Sequence, residues 1–226
     1  MVSLGVDTST PAGSVAVLDS ERLLGELNLV GGGHHQGRLL RSIDLLLDLA
    51  GLDVSGVNLL AVALGPGTFT GLRVGIATVK GIALAREIPA FGVSTLLAMG
   101  HRYLHRGLPV VPLIDAGRGE VYAALYRKGD GGILVGAPER SADPERLVAS
   151  LPEEPVLFCG DGVRVCWSLI RSSRGRKDSL EEGPCFLGAV LAQWGVQEHK
   201  KGSPWSLRSL TPNYIRPPDA ELGRRS

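Results

Sequence analysis

Two aspartates each close an apolar run and open a glycine-rich turn: Asp7 in GVDTSTPAG and Asp115 in PLIDAGRG. A carboxylate in such a place can hold Mg²⁺ through water and face the phosphates of a nucleotide. Asp also fixes turns by hydrogen-bonding its own backbone, and for Asp7 the two readings stand level. Thr8 adjoins the first of these turns. Gly160, in CGDG after an apolar strand, could lie near an adenine, although a plain tight turn is the simpler reading.

A third stretch, LGPGTFTGLRVGIATVKGIALA (Leu64 to Ala85), places glycines before a helix. Gly65, Pro66, Gly67 and Gly71 permit close backbone approach, Thr68 or Thr70 could cap the helix, and its first-turn N–H groups would suit an anion. No Gly-Lys-Ser/Thr follows, so this is not a P-loop, and the spacing is not that of a Rossmann turn. Gly71 and Gly75, and then Ala77, Gly81 and Ala85, recur every four residues and give a smooth face for close packing.

His101 and His105, in HRYLH, have the spacing of helical metal ligands, but no third ligand is near and a solvated helix end is the better reading. His34 and His35 suit a cap or surface role. The three cysteines, Cys159, Cys166 and Cys185, lack C-x-x-C spacing and read as buried free thiols.

The elements that must position these groups alternate in type. Val2 to Val6 and Val15 to Leu18 read as a hairpin, and Val111 to Tyr126 repeats the same order of apolar run, Asp, glycine turn and strand. Helical sequence follows each hairpin, as in His34 to Ala50 and in DPERLVASL, where Asp143 caps and Pro144 takes the first position. The pattern predicts an α/β chain of two related lobes, 1–105 and 106–226, with a mobile loop over 171–184.

In the helix from His34, the residues Leu39, Leu40, Ile43, Leu46, Leu47 and Ala50 form one stripe that seats it on its lobe. Leu45, Leu49 and Leu52 form a second stripe, read as a partner surface ahead of the alternative, a helix wrapped on both sides by its own chain. The chain has 226 residues, 44% of them hydrophobic, and a formal net charge of +1, so no global basic excess holds a nucleic acid. There is no basic leader with an apolar core and no apolar run long enough to span a bilayer, which predicts a cytoplasmic protein away from membranes.

The segments GVDTSTPAGSVAVL, LGPGTFTGLRVGIATVKGIALA, DAGRGEVYAALY and PNYIR (Pro212 to Arg216) resemble, in order, the signature segments of the bacterial TsaB (YeaZ) family. The resemblance covers most of Val2 to Tyr126 and the C-terminal PNYIR, and is loose from Asp130 to Pro204. It implies the actin-like, Hsp70-like ATPase (ribonuclease H-like) fold, with two duplicated lobes and the second reduced. It further implies a non-catalytic subunit of the machinery that makes threonylcarbamoyladenosine in tRNA. Where the related TsaD family carries Asn-His-x-Glu-x-His, this chain reads Ser94 to Met99, so that Thr95 and Met99 replace the two histidine ligands. A hydroxyl and a thioether do not hold a hard cation as two imidazoles do.

From the resemblance follow a TsaD-like catalytic subunit and a TsaE-like ATPase as partners, a homodimer when alone, and tRNA met through the complex. A separate enzyme, TsaC, would make the adenylate. The expected partner interface comprises Leu45, Leu49 and Leu52 with Gly71, Arg73 and Gly75. The expected vestigial nucleotide cleft comprises Asp7, Thr8, Asp115 and Gly160, with no required cofactor or metal and at most weak ATP or ADP with Mg²⁺. The competing reading is a small-molecule kinase or ATPase of this fold, with Asp7 and Asp115 at the phosphates. A metal-dependent peptidase lacks the ligands.

Overall fold

The computed structural model describes residues 1–30, 35–130 and 132–216, so the cap expected at His34 lies outside the described residues. In chain order the elements are β1 (Val2–Asp7), β2 (Gly13–Asp19), β3 (Arg22–Leu29), α1 (His35–Leu49), β4 (Leu59–Gly65), α2 (Phe69–Arg86), β5 (Ala90–Ser94) and α3 (Thr95–Tyr103). There follow β6 (Val110–Gly117), β7 (Glu120–Gly129), β8 (Gly132–Ala142), α4 (Pro144–Ala149), β9 (Leu157–Cys159), α5 (Val163–Arg174), β10 (Ser179–Glu181) and α6 (Gly188–Lys200). They form two compact units, 1–98 with 186–213 and 99–185 with 214–226.

The first unit holds a five-stranded sheet of order β3-β2-β1-β4-β5. β1 pairs antiparallel with β2, Val6 facing Val15, and parallel with β4. Alternate residues of a strand point to opposite faces. Leu4, Val6, Val15, Val17, Leu60 and Val62 therefore meet Leu39, Ile43 and Leu47 of α1 and Leu72, Ile76 and Val79 of α2 in one core. The intervening residues face α6: Ala16 and Leu18 pack with Ala192, and Leu59 with Phe91 and Val196. A Cβ on Gly5 would lie 2.1 Å from the Gly188 carbonyl, so the bare glycine lets α6 lie flat on β1. Ser14 Oγ accepts from the N–H groups of Leu187 and Gly188 at 2.9 and 2.8 Å and anchors the start of that helix.

The second unit repeats the arrangement. Its five strands run β10-β9-β6-β7-β8, with β6–β7 antiparallel and β6–β9 and β9–β10 parallel, as β1–β2, β1–β4 and β4–β5 are in the first. Val111, Leu113, Val121 and Phe158 form its core with Val163, Cys166 and Ile170 of α5. Asp143 caps α4 as expected, its carboxylate accepting from the N–H groups of Glu145 and Arg146. All three cysteines are buried. Burial raises the Cys166 thiol to about 11 and Cys159 well above its ordinary range.

Two expectations are corrected. The span 106–226 is not one lobe, because α6 belongs to the first unit. The stretch 171–184 is not one continuous loop: α5 continues through Arg174 and Ser179–Glu181 extends the sheet as β10, leaving 175–178 and 182–184 outside regular elements. Between them Arg174 Nε donates to Asp178 Oδ2 at 2.6 Å, with side chains 7% and 0% exposed. Arg174 also donates to the Pro152 and Glu154 carbonyls, and Asp178 accepts from the Val156 N–H. The composition of that stretch is that of a solvated loop, but one of its arginines and its aspartate fold inward as a pair.

Candidate functional site

The glycine-rich segment packs rather than cradles. Thr8, directly after β1, donates from Oγ1 to the Gly71 carbonyl at 2.7 Å. A Cβ on Gly71 would lie 2.0 Å from the Thr8 carbonyl oxygen, and one on Gly75 2.4 Å from Thr8 Oγ1. Thr68 stands at the N-cap of α2, but its side chain makes no capping bond, while its N–H donates to the Ser9 carbonyl at 2.7 Å. Asn213, from PNYIR, closes the other side by donating its N–H to the Leu64 carbonyl at 2.6 Å. Gly71 and Gly75 are thus buried inside the first unit and do not belong to an exposed partner surface, contrary to expectation. The glycines are spent on bringing the helix start against the strand end.

Asp7 is wholly buried, and its Oδ1 accepts from the Ser9 N–H at 2.9 Å and the Ser9 hydroxyl at 2.6 Å. The turn-fixing role is therefore realised. Asp115, exposed, does the same through the Gly117 N–H at 2.8 Å. Its own N–H donates to Asp161 Oδ1 at 3.3 Å. Burial first, and the Asp115 charge further, raise the Asp161 carboxyl above its ordinary 3.8, against the hydrogen bonds it accepts. Gly160 is in contact with core: at φ 100° its absent Cβ would lie 2.3 Å from the Leu113 carbonyl oxygen and 2.3 Å from Met99 Cε. The plain turn is what forms there.

Thr95 and Met99 are core residues, 0% and 1% exposed. The pair His101 and His105 does not share a helix, since α3 ends at Tyr103 and His105 lies in a 3₁₀ turn, its Nδ1 2.9 Å from the Arg102 carbonyl. Burial lowers the His101 imidazole below its ordinary range. Among the described residues no group of three His, Cys, Asp or Glu could hold a metal, and no helix is long and apolar enough to cross a membrane.

What remains open on the first unit is the outer face of α1 and α2, two helices that pack on each other and on the sheet. Leu39, Ile43, Leu46 and Leu47 are buried as the periodicity requires, but Leu40, assigned to that stripe, is 55% exposed. Of the second stripe, Leu45 and Leu49 are 50% and 72% exposed, whereas Leu52 packs against the core of its own unit. On α2 the residues Arg73, Ala77, Gly81 and Leu84 are all exposed and recur at helical spacing, so they share one line. Arg73 stacks its guanidinium 3.8 Å from the ring centre of the exposed Phe69. Leu84 and Phe69 were not legible as surface residues; the signal for Leu84 was its register with Arg73 and Gly81.

Two sheets of one topology, each with a central hairpin whose first strand carries an aspartate at its turn, define a duplicated actin-like ATPase fold. Component A of (R)-2-hydroxyglutaryl-CoA dehydratase from Acidaminococcus fermentans is similar in fold alone, with a TM-score of 0.52 and 12% identity over 90% of this chain and 100% of that one. YeaZ from Pseudomonas aeruginosa is similar with a TM-score of 0.80 and 30% identity, over 94% of this chain and 99% of that one. Residues 30–168 match the family model TsaD, described as tRNA N6-adenosine threonylcarbamoyltransferase. The tRNA threonylcarbamoyladenosine biosynthesis protein TsaB of Escherichia coli (strain K12) is 38% identical over 222 residues, 94% of each chain. The chain belongs to the TsaB family.

Proposed function

We propose that this chain is a non-catalytic subunit in the synthesis of threonylcarbamoyladenosine at adenosine 37 of tRNA. It pairs through the outer face of α1 and α2, with a second copy when alone and with a TsaD-like catalytic subunit in the working complex, which a TsaE-like ATPase joins. The pathway is supported by family membership and by the name of the Escherichia coli relative. The observation that carries the mode of action is the exposure of Leu45 and Leu49, 50% and 72%, on a helix that Leu39, Leu46 and Leu47 seat on its lobe. Burying each such side chain is worth about 1.5–3 kcal/mol, enough for a few of them to anchor an interface.

Chemistry is left to the partner. Thr95 and Met99, where the related enzymes have imidazoles, are a buried hydroxyl and a buried thioether, poor ligands for a hard cation. Asp7 and Asp115 each commit one carboxylate oxygen to their own turns, which supports a reading of at most weak contact with the Mg²⁺ of ATP or ADP. Sedimentation and pull-down test the reading: Leu45→Glu with Leu49→Glu should give a folded monomer that fails to retain the catalytic subunit. Self-association unchanged in that variant overturns it.

A further inference from the structure

Helix α5 presents a face of hydrogen-bond donors. Arg164, Ser168 and Ser172 are exposed and Arg171 is half-buried; the two arginines, seven residues apart, lie about 10 Å apart along the axis on the same side. From residue 163 to residue 177 the chain carries Arg164, Arg171, Arg174, Arg176 and Lys177 and no Asp or Glu. Arg174 is consumed by Asp178, and Lys177 donates to the Glu153 carbonyl. Arg164, Arg171 and Arg176 form no ion pair among the described residues. The basic run at the end of α6 differs, for there Lys200 pairs with Glu21 and Lys201 with Glu198.

Arg171 is also held in place. Its guanidinium lies 4.7 Å from the ring centre of Trp167, which packs against the core of the second unit. A guanidinium braced on an aromatic face loses less freedom on meeting an anion and keeps its outward N–H groups for it. Two guanidiniums and the Ser168 hydroxyl along one line, with no carboxylate on that helix, match a run of phosphates, while the Ser172 hydroxyl donates to the Leu169 carbonyl. An acidic protein would offer carboxylates at irregular spacing, and a lipid surface would want apolar side chains beside the arginines, whereas the exposed neighbours here are serines.

We propose that this face of α5 is a direct contact for the RNA backbone, with tRNA as its ligand. The proposal rests on the pathway reading above and extends it, since there the tRNA is met only through the complex. Contacts of this kind position an RNA without reading its sequence, so they add affinity and register and leave the choice of nucleoside to the catalytic partner.

The test uses the full chain with Arg164→Gln and Arg171→Gln together, both surface changes, and a labelled unmodified tRNA transcript followed by fluorescence anisotropy across a salt series. The wild type should bind with a salt-dependent affinity; the variant should bind about tenfold more weakly at 0.1 M salt, with a log–log slope shallower by about two. Arg171→Lys should keep the slope and lose part of the affinity. Retention of the catalytic subunit in pull-down should be unchanged in every variant, which separates failure of this proposal from failure of the pairing model. Equal tRNA binding by wild type and double variant overturns the proposal, as does tighter binding to anionic vesicles or to polyglutamate than to tRNA.

Discussion

Thr8 Oγ1 occupies the space a side chain on Gly75 would need, 2.4 Å from the position of its Cβ, and donates to the Gly71 carbonyl one turn earlier. This contact fixes α2 to the end of β1 and gives the glycine-rich segment its meaning.

Gly75→Ala should therefore destabilise the protein, by about 1–3 kcal/mol for forcing Thr8 aside, against a helix-propensity gain of about 1 kcal/mol. Adding Thr8→Ala should recover part of the loss, a coupling that denaturant titration of the two single variants and the double variant measures. Gly81 lies on a different, exposed face of the helix, where no atom stands within 4 Å of a Cβ. Gly81→Arg should keep or raise the melting temperature while abolishing self-association in sedimentation. Equal stability effects at the two glycines would contradict the orientation of α2.

The pair Arg174–Asp178 should be the costliest ionic contact to break in the second unit. Both side chains are almost wholly buried, and each bonds the backbone of 152–156 as well. Removing one partner strands a buried charge, so Asp178→Ala should cost about 3–5 kcal/mol in denaturant unfolding. Replacing both by apolar residues of similar volume should recover much of it. An exposed pair such as Lys200–Glu21 should give less than about 1 kcal/mol in the same assay.

Asp161 supplies a pH signature. Its folded carboxyl is raised above the ordinary 3.8, first by burial. A raised acid contributes stability that is fully present below its unfolded value and is lost as pH rises through the folded one. The contribution of Asp161 should therefore fall as pH climbs from the ordinary carboxylate range toward neutrality, so that Asp161→Asn should gain stability relative to the wild type over that range. Unfolding curves at pH 4 and pH 7 for both proteins decide it; identical slopes would refute the burial argument.

Much of the fold was legible because its signals are local. Alternation and turn residues mark β1–β2 and β6–β7, the repeat of Asp7 by Asp115 marks the duplication, and periodicity buries Ile43 and Leu47. What escaped depends on partners distant in sequence. Gly71 and Gly75 carry the same spacing whether they meet a neighbouring helix or Thr8, and only the placement of β1 decides. Leu52 reads like Leu45 along the helix, yet the chain turns after α1 and carries it back to the core. Arg174 and Asp178 look like loop charges until the carbonyls of 152 and 154 are brought opposite the one and the N–H of Val156 opposite the other.

The return of α6 to the first sheet has a consequence for how the molecule is made. Residues 1–98 cannot shield the face of β1 that carries Gly5 until Gly188–Lys200 has left the ribosome, whereas all five strands of the second sheet lie within 99–185 and can pair earlier. Synthesis from the N-terminus would thus leave the earlier-made sheet half-covered while the later one matures, and a nascent-chain chaperone would find its target on the bare side of β1 and β2.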